Sequence, residues 1–105
     1  MEIQVYVDGI SYYKLEDILV LDIFEDNSIH PHLIFPNGTK TWSYWGSFER
    51  LHRTNDLPAI EYANGDKEWW KFGKRHRING PAVIYGNKQY WFLQGEFIKS
   101  EEIYV

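Results

Sequence analysis

Apolar and polar residues alternate over short runs along most of the chain, and turn-forming residues separate the runs. Residues 3–7 alternate in this way, Asp8-Gly9 follows, and residues 10–13 resume the pattern. Asp-Gly supplies the positive φ angles that a two-residue turn requires, so we predict a β-hairpin here. Residues 18–24 form a denser apolar run, which favours a buried strand, with a short helix over residues 15–19 as the alternative. The polar stretch 25–28 predicts a turn, and the weakly alternating tail, 98–105, predicts an edge strand.

From residue 29 onward the pattern repeats itself. Each copy has an apolar strand after a proline, an Asn-containing turn, and a strand led by tryptophan that closes on glycine. The spacing is constant, because Pro31, Pro58 and Pro81 lie six residues before Asn37, Asn64 and Asn87, and Trp42, Trp69 and Trp91 lie four before Gly46, Gly73 and Gly95. A fixed period of this length indicates stacked supersecondary units that share one core.

We therefore predict an all-β fold, a single domain over residues 1–105 in which antiparallel tandem β-hairpins form a twisted sheet or small sandwich. The N-terminal strands occupy residues 1–28, and the hairpin repeats occupy 29–51, 52–75 and 76–99. The 105 residues include five Trp, eight Tyr and six Phe, and this aromatic content also favours strands over helices.

The register of each hairpin follows from its turn. Two-residue turns at Asn37-Gly38 and Asn64-Gly65 would place Ile60 opposite Trp69, on the same face of the sheet. The predicted core face then carries Leu33, Phe35, Trp42, Ile60, Tyr62, Trp69, Val83, Tyr85 and Trp91. The opposite face carries Trp45, Trp70, Phe72 and Phe92. A sheet that is aromatic on both faces needs cover on both or exposes an adhesive patch, and we expect the N-terminal strands to cover part of the second face.

The start of the third copy, Arg77-Ile78-Asn79-Gly80-Pro81-Ala82, together with the Trp-x-x-x-Gly ending of each copy, resembles the tandem HR-x-x-G-P-A hairpin repeats of phage and giant-virus proteins. More distantly it is similar to MORN-like hairpin repeats of bacterial proteins. The resemblance covers about two thirds of the chain, and only this copy has the full motif; the second has Asp56-Leu57 in place of the glycine, and the first lacks the Arg and the Ala. The resemblance implies a phage-encoded binding or spacing module and implies no chemistry.

Candidate ligand-binding residues concentrate at the start of the second and third copies. His52-Arg53 and His76-Arg77 suit an anion, because a guanidinium pairs with phosphate or carboxylate. The alternative, which the repetition favours, is a structural duty for both pairs. His30 and His32 alternate, but without cysteine or a third ligand we expect no metal site and no cofactor. No nucleophile elbow or phosphate loop occurs, and adjacent carboxylates point apart on a strand, so we predict that the protein is not an enzyme.

Charge is distributed unevenly, with minus six over residues 1–38 and plus two over the remainder. The only dense basic cluster contains Lys71, Lys74, Arg75 and Arg77, beside Trp70 and Phe72. Basic residues among aromatics are typical of single-strand binding surfaces, but the chain is acidic overall, so direct nucleic-acid binding is not expected. The absence of cysteine, of an apolar run of about 18 residues, and of a signal peptide predicts a cytoplasmic protein away from membranes.

We predict a non-enzymatic protein-binding module, an inhibitor of a host defence complex of the anti-CRISPR kind. Its anchors would be aromatic and its rim basic. The predicted binding residues are Trp45, Trp70, Phe72, Lys74, Arg75, His76, Arg77, His52 and Arg53. The alternatives are sequestration of a small nucleotide by aromatic stacking and the His-Arg pairs, an acidic surface that imitates nucleic acid, and a scaffold that forms homo-oligomers through its edge strands.

Overall fold

A computed structural model describes residues 3–23, 28–44 and 50–104. These residues contain twelve β-strands and no helix, so the prediction of an all-β fold is confirmed. The strands are β1 Ile3–Val7, β2 Ile10–Leu15, β3 Ile18–Leu21, β4 Leu33–Ile34, β5 Lys40–Thr41, β6 Ile60–Glu61, β7 Lys67–Glu68, β8 Trp70–Lys71, β9 Lys74–Arg75, β10 Val83–Tyr85, β11 Lys88–Leu93 and β12 Glu96–Glu102. Nothing helical in the described ranges is long and apolar enough to cross a membrane.

Ten strands form one antiparallel sheet, ordered β1-β2-β3-β4-β5-β6-β7-β10-β11-β12, and β8 pairs with β9 in a separate hairpin. The N-terminal hairpin is as predicted: Val7 pairs with Ile10 across Asp8 and Gly9, whose φ angles are 49° and 81°. The expected cover of one face by the N-terminal strands is wrong, because β3 pairs with β4 and β1–β3 extend the same sheet. The turn predicted at 25–28 lies mostly outside the described residues.

The predicted hairpin registers in the first two copies are wrong by one residue. Ile60 stands opposite Glu68 instead of Trp69, and Leu33 stands opposite Thr41. Each loop has three residues and ends on a glycine with positive φ, 93° at Gly38 and 96° at Gly65. Two sequence features select this loop over the two-residue turn. Pro36 has no N–H for the bond that would close a two-residue turn. The Oδ1 atoms of Asn37 and Asn64 instead accept the backbone N–H two residues further on, at 2.9 Å in both cases.

The third copy reaches the same register by a shorter loop. Val83 pairs with Tyr90 and Tyr85 with Lys88, so only Gly86-Asn87 lies between the strands. The third copy has one residue fewer between its asparagine and its tryptophan than the first two copies. The missing residue is in the loop, so the strand keeps its register. Trp91 consequently aligns with Trp42 and Trp69 across the sheet.

The three tryptophans lie in one row, on the face opposite to Ile60 and Val83, so their predicted grouping with those residues is wrong. We call this side the indole face. The amide of Trp42 donates to Ala59 and the amide of Trp69 donates to Ala82, at 2.8 and 2.7 Å. From Trp42 onward, large and small side chains thus alternate along the row. Most side chains of the row are buried: Tyr12, Leu21, His32, Trp42, Ala59, Trp69 and Ala82. This row is the core.

Within the described ranges, cations from two loops and from strand β12 lie over the indole face. The guanidinium carbon of Arg53 lies 3.6 Å from the ring centroid of Trp42, and that of Arg77 lies 3.8 Å from the ring of Trp69. Lys99 occupies the same place over Trp91, at 4.4 Å. A cation over the face of an indole is attracted by the ring quadrupole, more strongly where water is excluded. Each tryptophan is therefore capped by a cation from further along the chain.

Candidate functional site

The other side of the sheet has a buried carboxylate at its centre. We call this side the tyrosine face, because Tyr62, Tyr85 and Tyr90 lie on it. Glu68 in β7 is only 2% exposed. Its Oε2 accepts hydrogen bonds from the hydroxyls of Tyr62 and Tyr85, the latter at 2.6 Å. Its Oε1 accepts from Trp70 Nε1 and Arg75 Nε, both at 3.0 Å. Four donors therefore satisfy one carboxylate.

These contacts decide which groups are charged. Burial by itself would raise the pKa of Glu68, but hydrogen bonds from the two tyrosines and the charge of Arg75 outweigh it, and the pKa lies below its ordinary value. Burial and the bond to Glu68 raise the pKa of Tyr62 and of Tyr85. At neutral pH the site is thus an ionised carboxylate held by neutral phenols and one guanidinium.

Aromatic rings surround this centre. The ring of Tyr85 lies 6.2 Å from that of Tyr62 and 6.1 Å from that of Tyr90, both edge-on. The Arg75 guanidinium lies 5.3 Å from the ring of Trp70 and 5.4 Å from that of Phe92. Phe92 in turn contacts Phe97 on the edge strand β12, at 5.7 Å. We call the whole set the aromatic surface: Tyr62, Trp70, Arg75, Tyr85, Tyr90, Phe92 and Phe97.

The aromatic surface is partly open to solvent. Phe97 is 57% exposed, while Tyr85 is 37% exposed even though its hydroxyl is bound to Glu68. Trp70, Tyr90 and Phe92 are half-buried. The rings are consequently held in place by their own contacts and still present their faces or edges outward. Such an arrangement can accept apolar groups without first becoming ordered.

The structure divides the predicted binding residues among three places. Trp70 and Arg75 belong to the aromatic surface. Phe72 and Lys74 are exposed at the β8–β9 turn, where Phe72 stacks on His52 at 4.3 Å. Trp45 lies outside the described residues. The remaining four, His52, Arg53, His76 and Arg77, lie in the loops that cover the indole face.

The two His-Arg pairs make equivalent contacts within the chain. The Nδ1 atom of His52 accepts the N–H of Phe72 at 3.1 Å, and that of His76 accepts the N–H of Gln94 at 2.9 Å. Both donors begin a two-residue turn with positive φ angles. In the same copies, Arg53 and Arg77 donate to the carbonyls of the prolines that follow, Pro58 and Pro81, at 3.0 and 3.1 Å. Each histidine thus fastens the next hairpin.

The arginines are also paired with acids. Arg53 contacts Glu61 at 2.9 Å, and Arg77 contacts Asp56 at 3.0 Å. A shallow depression of about 280 Å³ lies between the two pairs. Its guanidinium groups already have carboxylate, carbonyl and indole contacts, so an anion entering it would compete with them. A Cβ at Gly80 would lie 3.1 Å from Arg77 Nη1, so a larger residue there would require the guanidinium to shift by a few tenths of an ångström.

His32, predicted to share one side of a strand with His30, is part of the core. It is fully buried, and its Nδ1 accepts the N–H of Ser43 at 2.9 Å. Within the described ranges, His, Asp and Glu side chains form no group of three that could hold a metal ion.

Sequence reasoning missed Glu68, Tyr62 and Tyr85 as a unit. A two-residue turn at Asn64-Gly65 would place Glu68 on the face away from Tyr62. The correct three-residue loop would have revealed the unit, because Ile60, Glu68 and Val83 then share one row and the tyrosines follow two residues beyond.

No protein-family model, curated protein or solved structure matches this chain. The resemblance to tandem HR-x-x-G-P-A and MORN-like hairpin repeats therefore remains a prediction.

Proposed function

We propose that the protein is a non-enzymatic module that binds another protein through the aromatic surface. The observation that carries this proposal is the arrangement of six aromatic rings and Arg75 around the buried carboxylate of Glu68. Residues of these types, Trp, Tyr and Arg, dominate the energetics of protein interfaces. Their concentration on one sheet face, with Phe97 more than half exposed, is what an unoccupied interface looks like.

The hydrogen bonds to Glu68 add a second argument. Ordering a long side chain on binding costs roughly 0.5–1.5 kcal/mol. Tyr62, Tyr85, Trp70 and Arg75 are already fixed by Glu68, so a partner that packs on them meets little of this cost. The same saturation argues against catalysis, because four donors occupy the carboxylate and none of its oxygens is left to act as a base.

The contacts of Arg53 and Arg77 favour protein binding over nucleotide binding. Both guanidinium groups hold an acid, a proline carbonyl and an indole of the same chain. From the resemblance to phage repeats, we take the partner to be a host protein in the cytoplasm, a component of a defence complex.

The experiment is affinity capture from host-cell lysate with three forms of the protein, read by mass spectrometry. Wild type should capture a partner, and Phe97→Ala should lose it, because truncating an aromatic anchor of an interface can cost 2 kcal/mol or more, roughly a thirtyfold loss of affinity. Tyr6→Ala is the matched control, since Tyr6 is 67% exposed on β1 at the far edge of the sheet. Circular dichroism establishes that both variants are folded.

Equal capture by Phe97→Ala and wild type would show that the aromatic surface is not the binding site. Loss in both variants would point to a broader surface. A rise in melting temperature with added nucleotides, and no protein captured, would favour the nucleotide alternative.

A further inference from the structure

Three asparagines of the chain are followed directly by glycine: Asn37, Asn64 and Asn79. An asparagine in this position can lose its side-chain amide, because the backbone nitrogen of the next residue can attack Cγ. Glycine has no Cβ to hinder that approach. All three asparagines are exposed, so exposure does not distinguish them. The three sites differ in their hydrogen bonds.

Two of the sites are held by the three-residue loops. The N–H of Gly38 donates to the carbonyl of Phe35 at 2.9 Å, and the N–H of Gly65 donates to that of Tyr62 at 3.0 Å. The asparagine before each glycine accepts a second bond on its Oδ1, from the N–H two residues further on. Attack requires both bonds to break, since the nitrogen must turn toward Cγ and the side chain must rotate. We expect these bonds to slow the reaction at least about tenfold in either loop.

The third site, Asn79-Gly80, has neither bond. Residues 78–80 form a bend, and the N–H of Gly80 donates to no carbonyl in the part of the chain that the structure describes. Within the same ranges, the side chain of Asn79 makes no hydrogen bond. The nitrogen and the carbon that must meet are therefore both free to approach each other.

We propose that Asn79 is a site of covalent modification by deamidation, and that the product disturbs the loop from which Arg77 caps Trp69. The Gly80 nitrogen loses its proton to water and forms a bond to Cγ of Asn79. The bond from Cγ to Nδ2 then breaks, and Nδ2 takes up a proton and leaves as ammonia. Water opens the resulting cyclic imide at either carbonyl. One opening gives aspartate, and the other gives isoaspartate, whose main chain runs through Cγ and is longer by one carbon. The inference goes beyond the proposed function and does not depend on it.

Both products place a carboxylate in the wall of the depression between the two His-Arg pairs, to which Asn79 belongs. Asp56 already supplies a negative charge there, paired with Arg77 at 3.0 Å. Isoaspartate has a further effect, because it lengthens the chain between Arg77 and Pro81, whose carbonyl accepts Arg77 Nη1 at 3.1 Å. The same guanidinium lies 3.8 Å from the ring of Trp69. An extra main-chain atom therefore displaces the carbonyl that orients the cation over the indole.

Incubation of wild type at mildly alkaline pH, followed by tandem mass spectrometry of tryptic peptides, measures the conversion of each asparagine. Asn79, in peptide 78–88, should convert at least about tenfold faster than Asn37 and Asn64, a difference of about 1.4 kcal/mol in activation free energy. In urea, which removes the hydrogen bonds of the loops, the three rates should become similar. Equal rates in the folded protein, or the same preference for Asn79 in urea, would overturn the inference.

Two variants provide matched controls. Asn79→Gln should not form the more acidic species that wild type accumulates in isoelectric focusing, because the longer side chain does not close the same ring. Asn87→Gln should accumulate this species like wild type, since Asn87 is an exposed asparagine of the same copy that is followed by lysine. Accumulation in Asn79→Gln at the wild-type rate would show that another residue is modified.

The effect on the loop is tested against Asn79→Asp, which has the charge of the product and a main chain of normal length. The isoaspartate form, separated chromatographically, should melt roughly 4 °C below this variant, the shift expected for loss of one hydrogen bond in a domain of this size. Equal melting temperatures would show that Arg77 keeps its place, and would overturn that part of the inference.

Discussion

Glu68 shows how one residue can determine the properties of a whole surface. An ionised carboxylate in so buried a position is stable only with several donors, and Tyr62, Tyr85, Trp70 and Arg75 supply them. Each donor is in turn oriented by the bond that it makes. The aromatic surface therefore depends on a single acidic side chain.

We expect Glu68→Gln to lower the free energy of unfolding by roughly 1.5–3 kcal/mol at pH 7, since it removes the charge that strengthens the hydrogen bonds to a buried carboxylate. The folded pKa of Glu68 is depressed, so its contribution is fully present above the unfolded value of about 4.3 and is lost as pH falls through the folded pKa. The difference between wild type and variant should accordingly shrink below about pH 4. Urea denaturation at a series of pH values measures it, and a difference that stays constant down to pH 2 would contradict the assignment.

The residues of the His-Arg pairs could be found from the sequence, but not their contacts. Repetition alone indicated a structural duty, and the structure shows equivalent hydrogen bonds and indole contacts in both copies. The carboxylate partners differ, Glu61 for Arg53 and Asp56 for Arg77, and no spacing in the sequence indicates which acid is chosen. Side-chain pairing depends on how the loop crosses the neighbouring hairpin, which is a tertiary property.

At the scale of the element, the length of each turn determines which side chains of the two strands share a face of the sheet. Strand positions in the N-terminal hairpin and the alignment of the tryptophans followed from periodicity, and both are confirmed. The residues opposite the tryptophans were predicted incorrectly, because a three-residue loop replaces a two-residue turn at Asn37 and Asn64. A change of one residue in loop length moves every side chain of one strand to the other face relative to its partner. This one error in register is the reason why the grouping of Glu68 with Tyr62 and Tyr85 was not predicted.

Gly65 tests the three-residue loop directly. Its φ is 96°, and a Cβ there would meet no atom within 4 Å, so only backbone strain opposes a side chain. Gly65→Ala should lower the free energy of unfolding by roughly 1–2 kcal/mol. Gly65→Asn should cost less, since Asn tolerates positive φ in turns. Equal free energies for wild type, Ala and Asn in urea denaturation would show that the loop adopts another conformation.

The whole molecule is a row of hairpins with a protected centre and two open edges. Every residue of β12 is exposed, and β1 is exposed or half-buried along its length. In the centre, the alternating tryptophans and alanines are buried and their amides are bonded across the sheet. Local stability should therefore fall from the centre toward both edges.

Amide hydrogen exchange would reveal this gradient. We expect the amides of Trp42, Ala59, Trp69 and Ala82 to exchange last, at rates set by global unfolding. Amides of β1 and of β12 should exchange at least about tenfold faster, through local opening worth 1.4 kcal/mol less. Uniform protection across all ten strands, measured by NMR, would instead indicate that the sheet opens as one unit.

The row in which Trp42, Ala59, Trp69, Ala82 and Trp91 alternate has a consequence for how such a chain can grow. The second copy offers an alanine, Ala59, to the indole before it and an indole, Trp69, to the alanine after it. A duplicate of the second copy, inserted between the second and third, would meet on both flanks the surroundings to which it is already fitted. Elongation by whole copies thus needs no compensating substitution, and insertion of a fraction of a copy would place tryptophan against tryptophan.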